Sequence, residues 1–156
     1  MDIKLETFSQ RTLHVFLSAI RFALRIGHRF LGSEHLLWAL IQEPGTAGRT
    51  LRAQGCDQTL VEDYLRQYDW DAKSEGHYTA IQISQEAEEV LHLSEHYVQN
   101  RAEQKLEPED LLHGILNAGE CAAAQLMLSL EIDLDDVRRS LDSQELPILP
   151  EETSQG

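Results

Sequence analysis

Gly27-His28-Arg29-Phe30-Leu31-Gly32-Ser33-Glu34-His35-Leu36-Leu37-Trp38-Ala39-Leu40 is the stretch of this chain that reads most clearly. Gly27 stands where a helix ends in a left-handed cap. Ser33 opens a new helix, whose Leu36, Leu37, Leu40 and Ile41 recur at helical spacing. Pro44-Gly45 stops it. Seventy-five positions later comes a weaker copy, Leu106-Glu107-Pro108-Glu109-Asp110-Leu111-Leu112-His113-Gly114-Ile115-Leu116, in which Leu31, Glu34, Leu36 and Leu37 align with Leu106, Glu109, Leu111 and Leu112.

Outward from this pair the two halves continue to match. Phe8-Ser9-Gln10 aligns with Ile83-Ser84-Gln85, and Val15 with Val90, at the same offset of 75. After one inserted residue the offset becomes 76 and pairs Leu51 with Met127, Val61 with Val137 and Leu65 with Leu141. Apolar periodicity predicts helices at about 9–26, 33–41, 46–53, 58–65, 84–100, 108–117, 121–130 and 134–141, with almost no strand signal. The first helix carries Leu13, Phe16, Leu17, Ile20 and Leu24 on one face and Val15, Ala19, Phe22 and Ile26 beside it. So wide an apolar arc predicts a central helix covered on two sides. The expected fold is all-α: eight helices arranged as two four-helix repeats about a pseudo-twofold axis. Repeat one spans about 7–66, a connector 67–80, and repeat two about 82–142, together one domain over 1–142. Residues 143–156 read as a flexible acidic and Pro-containing tail, with an apolar run at Leu146-Pro147-Ile148-Leu149-Pro150.

The 156 residues hold 27 Asp+Glu against 13 Lys+Arg, a net charge of −14. Residues 1–75 contribute −1 and residues 76–156 contribute −13. A surface this anionic repels phosphate backbones and anionic lipid, which argues against nucleic-acid and membrane-surface binding. No apolar run approaches the roughly 20 residues a membrane-spanning helix needs, and no leader pattern opens the chain. Cys56 and Cys121 lie in helical, partly apolar contexts without a CxxC spacing, so buried reduced thiols and a cytoplasmic location are expected.

The stretch from Gly27 to Leu40, followed by Pro44-Gly45-Thr46-Ala47-Gly48-Arg49-Thr50-Leu51 and Gly55-Cys56-Asp57, resembles the signature of the Clp N-terminal repeat domain, which begins AAA+ unfoldases of the ClpA and ClpC type. The likeness covers roughly residues 7–142. It implies a compact helical module that docks adaptors and substrates and presents them to the unfoldase, here without the ATPase. In some members of the family the module recognises phosphorylated arginine. By resemblance, Glu34 and Glu109 match the glutamates that contact phosphoarginine, with Gly32, Ser33 and His35 beside the first. The implied partners are Clp AAA+ unfoldase or protease subunits, adaptor proteins and protein substrates, phosphoarginine-bearing ones included. The one Gly-x4-Gly in this region, Gly27 to Gly32, is followed by Ser33-Glu34, where a phosphate-binding loop needs Lys-Ser/Thr.

Each candidate also has an ordinary structural explanation. Glu34 and Glu109 fall in first helical turns, where acidic residues favour the helix dipole. Glu107-Pro108 adds a negative charge and removes a backbone donor before Glu109, so any anionic ligand is expected at the first repeat. Arg21, Arg25 and Arg29 form a basic stripe that could anchor an acidic partner, or pair with Glu86, Glu88 or Glu89. His28 and His35 are expected to satisfy backbone groups or pack at a helix junction. His92 and His96 have the i, i+4 spacing of two zinc ligands, with no third fixed nearby. Trp38, Phe30 and Tyr97 are placed where the repeats should meet. No GxSxG elbow or catalytic cysteine context is present. The sequence thus predicts a non-catalytic interaction module with no cofactor and no metal that regulates or feeds a Clp unfoldase–protease. The alternatives are a decoy that sequesters small molecules or phosphoarginine-marked proteins and, from another class, a small metal-dependent hydrolase using His92 and His96.

Overall fold

A computed structural model describes residues 5–67, 82–98 and 105–145. A 3₁₀ turn (Leu5–Thr7) leads into α1 (Gln10–Arg25), β1 (Phe30–Leu31), α2 (Ser33–Ile41), α3 (Thr46–Ala53) and α4 (Gln58–Gln67). The second half repeats the order with β2 (Gln82–Ile83), α5 (Gln85–Val98), α6 (Pro108–Ala118), α7 (Ala122–Ser129) and α8 (Leu134–Glu145). Most of the predicted connector, the end of the fifth predicted helix and the apolar run Leu146–Pro150 lie outside the described residues.

The helix starts follow their caps. Ser9 holds the N-terminus of α1 by accepting from the Thr12 N–H, and Ser84, its counterpart, accepts from the Ala87 N–H. Gly27 leaves α1 with φ 85°, a conformation that costs glycine little. α8 runs four residues past Leu141, because Asp142–Glu145 is polar and apolar periodicity is silent there while helix propensity is not.

Seven aligned apolar pairs are buried on both sides: Val15 and Val90, Leu31 and Leu106, Leu36 and Leu111, Leu37 and Leu112, Leu51 and Met127, Val61 and Val137, Leu65 and Leu141. They belong to one hydrophobic core that runs through both repeats. The central helix is α2, not α1: all nine residues from Ser33 to Ile41 are buried. α1 is covered on one side only. Val15, Ala19 and Phe22 are buried, whereas Leu17 and Leu24 each remain 42% exposed on the outward edge.

The strand segments missed by the periodicity are two residues long and join the repeats. Phe30 and Leu31 pair in parallel with Gln82 and Ile83, and Phe8 bridges in parallel to Leu106. These are the same contact made twice, since Leu31 and Ile83 correspond to Leu106 and Phe8 across the pseudo-twofold axis. The Ser9 N–H donates to the Leu106 carbonyl at 3.0 Å, and the Ser84 N–H to the Leu31 carbonyl at 2.9 Å. The segment preceding each repeat's first helix is therefore held by the other repeat.

Candidate functional site

The first junction is built around the N-termini of α2 and α7. Such ends leave backbone N–H groups without intrahelical partners and carry positive partial charge, so they attract an anion. Here the anion is the chain's own Glu86, from the first turn of α5. Its carboxylate accepts from the Ser33 N–H at 2.7 Å, the Ser33 hydroxyl at 2.5 Å, the Ser84 hydroxyl at 3.0 Å and the Ala122 N–H at 2.9 Å. The Ser33 oxygen in turn accepts from the Ala123 N–H at 2.9 Å.

Glu34 lies behind this cradle, 4% exposed, and its Oε1 has no hydrogen-bond partner. Burial, reinforced by the neighbouring Glu86 charge, pushes its carboxyl up to about 7. The next residue, His35, accepts the Gly32 N–H on Nδ1 at 2.9 Å. The single ring proton of the neutral imidazole is then on Nε2, which donates to His28 Nδ1 at 2.8 Å. Burial, with the adjacent His28, lowers His35 to about 3, so the ring stays neutral. Phe30 stacks on His28 at 5.5 Å and meets His35 edge-on at 5.1 Å. Gly32, Ser33, Glu34 and His35 are thus brought together, in the interior.

The second junction has the same architecture with the central charge reversed. Arg11 stands at the position of Glu86, 75 residues earlier. Its guanidinium donates from Nε to Glu43 at 2.9 Å and from Nη2 to Glu109 at 2.9 Å, and lies 3.5 Å from Glu107. These carboxylates, the hydrogen bond to Glu43 foremost, raise its basicity above the ordinary arginine value. Glu109 also accepts the Ala47 N–H at 3.0 Å, so it caps α3. Pro108 occupies the place of Ser33 and supplies neither N–H nor hydroxyl. Asp110 receives the Glu107 N–H at 2.8 Å, as His35 receives that of Gly32.

The remaining predicted residues lie away from the junctions. Arg25 holds its guanidinium over the rings of Phe22 and Trp38, 5.4 and 5.7 Å from their centroids. Among the described residues no ion pair links Arg21 or Arg25 to Glu86, Glu88 or Glu89, and Glu86 is engaged in the cradle. Trp38 stacks on Phe22 at 4.0 Å within repeat one, and Tyr97 stacks on His113 at 4.4 Å within repeat two. Of the three aromatics expected where the repeats meet, Phe30 lies on the strand that pairs with repeat two. His92 and His96 are exposed with rings 5.4 Å apart; among the described residues no group of three His, Cys, Asp or Glu is placed to hold a metal. Cys56 and Cys121 are buried and unpaired, and burial pushes the Cys56 thiol up to about 12. A thiol so protonated is a poor nucleophile. No helix among the described residues is long and apolar enough to cross a membrane.

Sequence reading named Glu86 only as a partner for the basic stripe, missed its place in the junction, and missed Arg11 altogether. The signal was present, because each lies two residues past its helix cap, Ser84 or Ser9, at the repeat offset.

Comparison with known proteins agrees with this architecture. The pattern describing the Clp repeat (R) N-terminal domain matches residues 7–98 and again 82–156. A ClpA homolog, the ATP-dependent Clp protease ATP-binding subunit of Guillardia theta, is 29% identical over 136 residues, 85% of this chain. ClpC/MecB of Bacillus subtilis, a negative regulator of genetic competence, is 26% identical over 135 residues, 86% of this chain. The chain spans only 16% of the length of either relative. The N-terminal domain of ClpD from Arabidopsis thaliana superposes with a TM-score of 0.69 at 18% identity, covering 92% of this chain and 97% of that one. The Hsp104 N-terminal domain from Candida albicans gives 0.69 at 12% identity, over 89% and 91%.

Proposed function

The chain belongs to the family of Clp repeat N-terminal domains, and from that premise we propose that it is a non-catalytic protein-interaction module. It captures adaptors, substrate segments or Clp subunits and so regulates or feeds a cytoplasmic Clp unfoldase–protease. The observation that carries this reading is the match of both repeats to that family, and the filled cradle of the first junction bears on where recognition falls. Glu86 occupies the donors that Ser33, Ser84 and Ala122 would offer an anionic ligand, and Arg11 ties up Glu109 at the second junction. With both junctions occupied by the chain's own side chains, this reading places recognition on the outer surface rather than at Glu34 and Glu109.

The test is affinity purification of the intact chain from native lysate, followed by a degradation assay with the recovered Clp components. Recovery of a Clp subunit or adaptor, with a changed degradation rate on adding the chain, is expected. A lysate that yields neither contradicts the function.

A further inference from the structure

We infer that the outward edge of α1 docks an acidic amphipathic helix of a partner protein, an inference that rests on the interaction function proposed above. Leu13, Leu17, Ile20 and Leu24 follow one another at i, i+4, i+7 and i+11 along this edge. Leu13 and Ile20 are rooted in the core, while Leu17 and Leu24 project from it, each 42% exposed. The fold does not require leucine here. The positions of α5, which packs in the same way in repeat two, that correspond to Leu13, Leu17 and Ile20 are Glu88, His92 and Glu95; Gln99, the counterpart of Leu24, lies outside the described residues. Repeat one therefore presents leucines along one helix edge where its own copy has polar residues, and Leu17 and Leu24 are the exposed members of that edge.

The shape of the ridge selects a helix. Eleven residues of helical rise give about 16 Å, three turns of side chains that fit between the ridges of a second helix. The strands described here are two residues long, too short an edge to take up an extended peptide. The charge selects an acidic helix. Arg21 lies between Leu17 and Leu24 and makes no ion pair among the described residues; Arg25 and His14 are exposed beside it. A second copy of this chain is a poor occupant. Pairing two copies through α1 brings the Arg21 and Arg25 of one ridge toward the same arginines of the other.

The probe is a fluorescein-labelled helical peptide with leucines at i, i+4, i+7 and i+11 and glutamates on both flanks, titrated into the full chain and followed by anisotropy. Saturable binding is expected, weaker in concentrated salt, which screens the charges. The double variant Leu17→Ser/Leu24→Ser is expected to weaken it at least about tenfold, and Arg21→Glu about fivefold, as for central interface residues. Leu128→Ser, at another exposed leucine (52%), is the unaffected control. Helical circular dichroism and melting temperature of each variant verify folding. Equal binding by the double variant, equal binding of a peptide flanked by lysines, or no saturable binding overturns the inference. The two proposals fail separately. If the intact chain and the ridge variant recover the same Clp component, the function stands and the ridge falls. If the peptide binds the ridge but no Clp component is recovered, the ridge stands and the Clp reading falls.

Discussion

Glu34 and His35 are neighbours in sequence with opposite electrostatic consequences. Burial raises the Glu34 carboxyl from 4.5 to about 7, so folding favours its protonated form. That contribution is complete below pH 4.5 and is lost as pH rises through 7, at about 1.4 kcal/mol per pH unit, or roughly 3 kcal/mol in all. His35, lowered from 6.5 to about 3, works the other way: its contribution is complete above pH 6.5 and is lost as pH falls toward 3. Between 4.5 and 6.5 the two slopes oppose, so the informative quantity is a difference between proteins. Glu34→Gln, measured by urea unfolding, is expected to gain on the wild type as pH rises from 4.5 to 8, by about 3 kcal/mol at the upper end. A difference independent of pH would show that Glu34 ionises freely in the folded protein. Sequence reading placed Glu34 in a first helical turn but could not place it inside, because burial depends on which helix covers it. The histidine pair was better marked: His28 and His35 were expected to satisfy backbone groups at a junction, and His35 does so.

The helices show which local features sequence chemistry decides. Most predicted ends lie within a residue or two of the observed ones, because Ser9, Ser33, Pro44-Gly45, Pro108 and Ser84 act through local backbone geometry. What periodicity could not tell is which apolar face finds a partner. The wide apolar arc of α1 predicted the central helix, but it is α2 that is enclosed. Corresponding elements also differ in strain. α3 and α7 end in the same way, with the next residues folding back: Gly55 and Cys56 donate to Arg52 and Leu51, and Glu131 and Ile132 to Leu128 and Met127. Gly55 takes φ 90° without a side chain, whereas Glu131 takes φ 65° with one. Glu131→Gly is therefore expected to stabilise the protein by about 0.5–1 kcal/mol, the relief of a left-handed non-glycine residue less the added freedom of the unfolded chain. Thermal melting at fixed pH checks the sign, and a lower midpoint would refute it.

Across the whole molecule, each repeat supplies what the other needs. The leading segment of each pairs with its partner's strand, Glu86 from repeat two closes the first junction, and Arg11 from repeat one closes the second. The repeats are accordingly expected to unfold together, with circular dichroism and tryptophan fluorescence giving one coincident transition. A fragment of residues 1–67 is expected to show no cooperative transition; two separate transitions in the full chain would contradict this. The repeat and the all-helical class were legible because apolar spacing survives in both copies. The reversed charges at the junctions were not, since the offset aligns Arg11 with Glu86 without revealing that either is central. The −1 and −13 halves are two surfaces on one skeleton, and their divergence reaches inward to the junctions.

The central claim is that the chain fills its own anion cradle, so that recognition is left to its exterior. Calorimetric titration of the intact wild-type protein with a phosphoarginine peptide tests it most directly. The account predicts no saturable heat up to high micromolar peptide; one-to-one binding by the wild type would contradict it.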